Sequence, residues 1–366
     1  LITAAADGPA QTGAGIGEAR FSFAHELIRQ TLVSGLSLPR RQRVHLRIAE
    51  AIERVYARNL DERASDLAHH LYQAGAAADP EKTARYLTLA GDKALAAAAF
   101  EDALRHYDDA LSLRAAGDRR GRAGLLYKRG HALRSAGRWE AALADWGEAL
   151  GVYEELGEAQ VVGSVACDMA EQLSWGARFD EAVEVGRRGL SALGERVSAD
   201  RCRLLANTGL SLSVSGDHMA GDSLISQALA MAEELGDQRL LREVLCLKAG
   251  HHYYYMQPRE SVEAGLRAVE LLRSAGDLWQ LSNALWWTQA GLLQLGRLEE
   301  AAGLAGEGEP LAIRLGHLGA LMCVRRFSAF REFMLTAHID RFEEFARADM
   351  ELCRSADMPW VFFSYA

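Results

Sequence analysis

Glycines recur at 117, 157, 236, 276 and 316, separated by 40, 79, 40 and 40 residues, and the absent member falls in "RVSADR" near 197. A second marker lies midway through each interval. It reads "AGRWEAAL" from Ala136, "GARFDEAV" from Gly176, "SGDHMAGD" from Ser215, "MQPRESVE" from Met256, "LGRLEEAA" from Leu295 and "HIDRFEEF" from His338. A shorter copy, "AAFEDALRHYDDAL", starts at Ala98. A fixed internal period of this length constrains the fold more than composition does, because each unit is one supersecondary element repeated. The unit reads as helix, tight turn, longer helix, loop. One helix pair cannot bury its apolar face alone, whereas stacked pairs cover one another. The expected architecture is therefore an all-α, right-handed solenoid of helix pairs, turning near Gly137, Ala177, Gly216, Pro258 and Gly296. Trp139, Phe179, Met219 and Leu298 are expected to anchor the second helices. Ala142, Ala182 and Ala301 are expected to let paired helices approach closely.

The repeat pattern starts near Glu81. Before it, "RFSF" alternates as a short strand at Phe21 and Phe23, and a helical period begins at His25 through Leu27, Ile28, Leu32 and Val33. Further helices are expected from Pro39 to Arg58 and over "ERASDLAHHLYQAG", ending at Gly75. Residues 1–78 thus read as a small winged-helix-like or linker segment, and 79–366 as the repeat array, its last unit cut short. The "GAGIG" near the start lacks the lysine of a phosphate loop and does not fit G-x-G-x-x-G, so it reads as a loop.

Six prolines in 366 residues suit helix, and the net charge of −9 is spread without blocks. Such a balance gives no electrostatic case for nucleic acid or an anionic membrane. No apolar run reaches membrane-spanning length. Cys167, Cys202, Cys246, Cys323 and Cys353 have neither zinc-ligand nor redox spacing, and read as small buried or half-buried residues of a reducing, cytoplasmic compartment. The start at Leu1 and the stop in "PWVFFSYA" read as an excerpt of a longer polypeptide.

The unit "LYKRGHALRSAGRWEAALADWGEAL" resembles a tetratricopeptide repeat, through Gly130, Gly137, Ala142, Trp146 and Ala149. The copy at Gly91, Phe100, Ala103, Tyr107 and Ala110 matches equally well. The period exceeds the roughly 34 residues usual for that family, so the second helix and its loop look extended. The front end is similar to large bacterial multidomain signalling ATPases, in which a nucleotide-binding domain precedes a winged-helix segment and a tetratricopeptide-like array. Phe21, Phe23, His25, Leu27, Arg29, Arg40, Arg41, His45, His69, His70, Gly91 and Ala94 carry that likeness, over about residues 20–115. Some members carry an adenylate/guanylate cyclase domain, and others are LuxR-type transcriptional regulators. The resemblance implies an adjoining ATPase domain in cis. No ATPase or cyclase residue transfers to this chain, so no catalytic residue, metal or cofactor is expected within it.

Three local motifs invite chemistry. His69 and His70 are adjacent and point about 100° apart on a helix, which favours packing or capping over shared ligation. His25-Glu26 lacks the second histidine of H-E-x-x-H. Arg40, Arg41, Arg43 and Arg47 suit a solvated face or a contact to the ATPase domain. "HHYYYMQP", His251 to Pro258, falls at the end of a first helix, with His252 at a core position and Tyr253 and Tyr254 toward the concave groove. The same register places Tyr127, His131 and Arg134, then Cys167, Glu171 and Trp175, then Arg203, then Asn283 and Trp286, then Arg326, Phe330 and Phe333 along the groove. Aromatic surfaces with scattered charge mark binding. The alternative is that irregular later repeats turn these residues into the core. The expected function is recognition of a small effector or partner protein in the groove, biasing an adjoining signalling ATPase. The regulatory part of a nucleotide cyclase and a plain protein–protein scaffold are the alternatives.

Overall fold

The computed structural model describes residues 2–4, 21–23, 31, 35–115 and 117–355. The expected loop at "GAGIG", the helix opening at His25 and the terminal "PWVFFSYA" lie outside the described residues. The chain forms two compact units, Leu1–Ala132 and Leu133–Ala366.

In the first unit, strand β1 (Ile2–Ala4) pairs antiparallel with β2 (Phe21–Phe23), Ile2 opposite Phe23 and Ala4 opposite Phe21. Helices α1 (Leu38–Val55), α2 (Ala64–Ala74), α3 (Pro80–Ala96) and α4 (Phe100–Leu113) follow. Proline stands in the first turn of α1, as Pro39, and opens α3, as Pro80, where its missing N–H costs nothing. Asp79 caps α3 by accepting from the Lys82 N–H at 2.8 Å. The fully buried Leu67 and Leu71 on α2 and Tyr86, Leu87 and Tyr107 on α3 and α4 form the core. Gly91 is required at the α3–α4 crossing, because a Cβ there would stand 2.6 Å from the Tyr107 ring. Helix α5 (Arg119–Ser135) spans the division between the units.

The second unit continues with α6 (Trp139–Leu156), α7 (Ala159–Trp175), α8 (Phe179–Leu193), α9 (Ala199–Val214), α10 (His218–Leu235) and α11 (Gln238–Tyr254). Then come α12 (Pro258–Ala275), α13 (Leu278–Gln294), α14 (Leu298–Leu315), α15 (Leu318–Thr336) and α16 (Ile339–Ser355). The all-α solenoid of tetratricopeptide-like helix pairs expected from the period is what the chain forms.

The turn between paired helices always carries one residue with positive φ: Ala98, Gly137, Ala177, Gly216, Met256, Gly296 and Ala337. In the "MQPRE" unit that residue is Met256, and Pro258 is the first residue of α12. Proline's ring locks φ near −65°, so Pro258 cannot hold the left-handed position. Leucine, tryptophan or phenylalanine then opens the second helix two residues on, at Trp139, Phe179 and Leu298, each half-buried. In the "SGDHMAGD" unit the equivalent residue is His218, stacked on Tyr255 at 5.0 Å, whereas Met219 points out at 79% exposure. The anchor expected at Met219 is therefore one residue early.

Long second helices end at Gly157, Gly236, Gly276 and Gly316, all left-handed caps. The gap near 197 has a simple cause. Helix α8 stops three residues sooner, at Gly194 (φ 59°), and an extended loop runs to α9. Ala142, Ala182 and Ala301 are fully buried, as close packing demands. Ser261 takes the same position in its unit, its hydroxyl donating to the Ala249 carbonyl at 2.8 Å.

Within this unit α7, α9, α11, α13 and α15 pack each on the next, while the second helices α8, α10, α12 and α14 do not pack on one another in this way. The side on which neighbours crowd together is the inner side of a curved array. The first-helix side of Leu133–Ala366 is therefore its concave wall.

Candidate functional site: the inner wall of the second unit

The inner wall divides by chemistry. Toward its start, Arg203 on α9 donates through Nε to Glu243 on α11 at 3.1 Å and stands 3.8 Å from Asp200. Glu243 also accepts from Arg239 at 3.0 Å. The forty-residue spacing of Arg203 and Glu243 makes this a rung between equivalent positions. Arg134 lies with its guanidinium 5.5 Å from the Trp146 ring centre.

Glu171 on α7 is solvent-accessible, yet sits among the charges of this wall. Protein crowded around it on the concave side thins its hydration and lifts its carboxyl above the usual range. Arg134 and Arg203 oppose that rise, and Asp168 and Glu243 add to it.

The far half of the wall is aromatic. Tyr253 and Tyr254 on α11, Trp286 and Trp287 on α13 and Phe327 on α15 form one cluster. Ring centres are 5.3 Å apart for Tyr253–Tyr254, 5.8 Å for Tyr254–Trp287, 5.9 Å for Tyr253–Phe327 and 6.3 Å for Trp286–Phe327. Burial pushes both tyrosine hydroxyls up, against the pull of the nearby Arg326 charge. Gly250 lets α11 approach, since a Cβ there would stand 2.8 Å from the Trp287 ring.

Trp286 was expected to be an open groove residue. It is only 8% exposed, packed in the main core cluster, with its indole N–H directed at Asn283 Oδ1 at 3.4 Å. The tyrosines are half-buried against the same core. Phe330 is the open member, 43% exposed. Phe333 turns elsewhere: it lines a cleft of 420 Å³ between α15 and α16, 6.0 Å from Phe342. Tyr127 belongs to the first unit, half-buried beside His131 at 4.7 Å. The expected set is thus not one continuous aromatic surface. Irregular first helices rotate part of it into the core.

Trp175, at the end of α7, meets helix α15 four units further on. Its ring centre is 5.8 Å from that of His317, and a Cβ on Gly319 would stand 2.8 Å from its Cζ3. Only the inside of the curve offers that path. His317 is itself stacked on Trp279 at 3.8 Å and shares a hydrogen bond with Ser282 Oγ at 2.7 Å. The concavity is therefore bridged, not open along its whole length. Trp287, Phe327, Trp279 and His317 were not singled out from the sequence. The Trp286-Trp287 doublet and the forty-residue step from Trp287 to Phe327 were the available signals.

Cys167, Cys202, Cys246 and Cys323 are buried and form no disulfide. Burial pushes the Cys202 thiol up to about 11 and that of Cys246 to about 12, and holds Cys167 well above its ordinary value. A thiol so shifted is a poor nucleophile and a poor metal ligand near neutrality. The wall thus presents one perturbed carboxyl, paired arginines and two half-buried tyrosines. No helix among the described residues is long and apolar enough to cross a membrane.

No protein-family model matches the sequence, and no curated protein matches it. Solved structures do match by fold. A Rap protein complexed with Competence and Sporulation Factor is 13% identical, with TM-score 0.58 over 90% of this chain and 93% of that one. The apo form of the quorum sensor NprR from B. thuringiensis is 15% identical, with TM-score 0.55 over 89% and 91%. A signal transduction ATPase with numerous domains from Pyrococcus horikoshii, bearing a tetratricopeptide repeat sensor, is 14% identical, with TM-score 0.52. This chain covers 92% of itself in that match and about half, 52%, of the ATPase. At these identities the likeness establishes the fold alone: a tetratricopeptide-like helical repeat array.

Proposed function

We propose that the chain is the sensing region of a larger regulatory protein, that its inner wall binds an extended peptide or a segment of a protein partner, and that occupancy is read by an adjoining signalling ATPase in cis. The observation that carries this reading is the bridged concavity of the second unit, with accessible Glu171 at one end and exposed Phe330 at the other. A peptide fits such a wall better than a compact metabolite, because the polar and aromatic stretches lie on different helices. Carboxylates at one end suit a basic residue, and rings at the other suit an apolar one. The fold-level likeness to a repeat sensor on an ATPase, and to proteins named as a quorum sensor and as a complex with a signalling factor, supports the regulatory context.

The test is selection from a random peptide display library against the purified chain, followed by titration of enriched peptides. Enrichment of basic–apolar sequences, with binding weakened at least tenfold by Glu171→Gln or Phe330→Ala, is the expected result. Enrichment that neither variant affects, or no enrichment at all, overturns the reading.

A further inference from the structure

The sequence alone favoured a packing or capping role for His69 and His70. The fold adds a third histidine that no local spacing announces. His45 on α1 faces both from across the α1–α2 contact. His45 Nδ1 and His70 Nδ1 lie 2.9 Å apart. Ring centres are separated by 5.1 Å for His45–His70, 5.8 Å for His45–His69 and 5.1 Å for His69–His70. One ring nitrogen from each of the three falls within 4.8 Å of the others. The objection that neighbours on a helix diverge is answered by the rings, which turn back toward His45 at 72° to each other.

We propose that His45, His69 and His70 form a site for a borderline divalent transition ion such as zinc, nickel or cobalt. Three imidazoles and no thiolate select that class over magnesium or calcium, which take oxygen ligands. Metal–nitrogen bonds of about 2.0–2.1 Å in a tetrahedron put ligand nitrogens roughly 3.3 Å apart, so the widest separation must close by roughly 1.5 Å on binding. His69 is exposed, so solvent water would be at hand to complete a four-coordinate set. Asp66, one turn before His70 on α2, brings a compensating negative charge, and Arg41 on α1 brings a positive one. A bound ion would tie α1 to α2 at a point where His45 and His70 otherwise share a single hydrogen bond.

The experiment uses the full chain without an added histidine tag, stripped with chelator and titrated with cobalt(II) and zinc(II). Expected are one equivalent bound with a dissociation constant of about 10 μM or tighter, an intense visible cobalt band of the tetrahedral kind, and a higher melting temperature in zinc. His69→Gln, at the exposed position, and His45→Gln are each expected to weaken binding at least tenfold, with helicity by circular dichroism unchanged for His69→Gln. Binding weaker than about 10 μM overturns the proposal. So does one-equivalent binding that persists in both variants, which would place the ion on other histidines.

Discussion

The indole of Trp175 occupies the volume a side chain on residue 319 would need, although 144 positions separate Trp175 from Gly319. A methyl group at 319 would sit 2.8 Å from Trp175 Cζ3, closer than van der Waals contact allows.

Gly319→Ala is therefore expected to destabilise the chain by about 1–3 kcal/mol, the usual range for overpacking. Trp175→Ala should remove the clash, so that the double variant is less destabilised than the two single changes added together. Urea unfolding of the four proteins measures this. Strict additivity would mean the two residues do not meet.

The aromatic cluster separates packing from binding. Trp287→Ala, buried among Tyr253, Tyr254 and Trp286, should cost about 3–5 kcal/mol of stability. Phe330→Ala should leave the unfolding midpoint within about 0.5 kcal/mol and act on ligand affinity alone. Equal thermal losses in the two variants would contradict the assignment of Phe330 to the open wall.

At the turns, Met256 holds φ of 55° and is 73% exposed, so it carries left-handed strain without compensating burial. Met256→Gly is expected to stabilise by up to about 1 kcal/mol, the strain relieved exceeding the added unfolded-state entropy. Gly296→Val, a β-branched residue at the equivalent turn, should destabilise by at least about 1 kcal/mol. Denaturation midpoints of both variants decide it, and a drop for Met256→Gly would show that its side chain packs in solution.

Stability should fall as the solution is acidified from neutrality. Burial lowers His317 to about 4, and lowers His251 to about 4 beside His252, Asp222 and His218. Both values lie below the ordinary 6.5, so the unfolded chain takes up the proton first. The contribution is fully present above pH 6.5 and is lost progressively toward pH 4. A drop from 6.5 to about 4 corresponds to at most about 3 kcal/mol per group. His317→Asn should flatten the pH dependence between 4 and 6.5. The wild-type-minus-variant difference also separates the histidine from Glu171, whose raised carboxyl acts in the opposite sense. An unchanged slope in the variant would locate the effect elsewhere.

The repeat period, the helix-pair architecture and the buried alanines were legible because each depends on local spacing. Register errors appeared where a local rule was met by an unexpected residue: Met256 in place of a glycine, His218 in place of an apolar anchor, Gly194 three places early. The candidate wall was less legible for another reason. A period places equivalent residues in a row, but the rotation of each helix about its own axis decides whether the row faces water or core. Trp286 and Phe333 were lost to that rotation. Trp175 against Gly319, and His45 against His69 and His70, are consequences of curvature and of helix crossing, which no periodicity encodes.

The two sides of Leu133–Ala366 are held by different forces. The first helices pack through a largely apolar core, with the Arg203–Glu243 pair as a polar rung. Between second helices, and at the turns that open them, the links include Arg188–Glu154 at 2.6 Å, Arg178–Glu140 at 3.1 Å and Arg273–Glu307, all partly or fully open to water. Pairs of that kind contribute about 0–1 kcal/mol each and weaken as salt screens them. The contacts between successive second helices are thus more exposed to solvent ions than those between successive first helices. Added salt should loosen those outer links and leave the packing between first helices almost untouched.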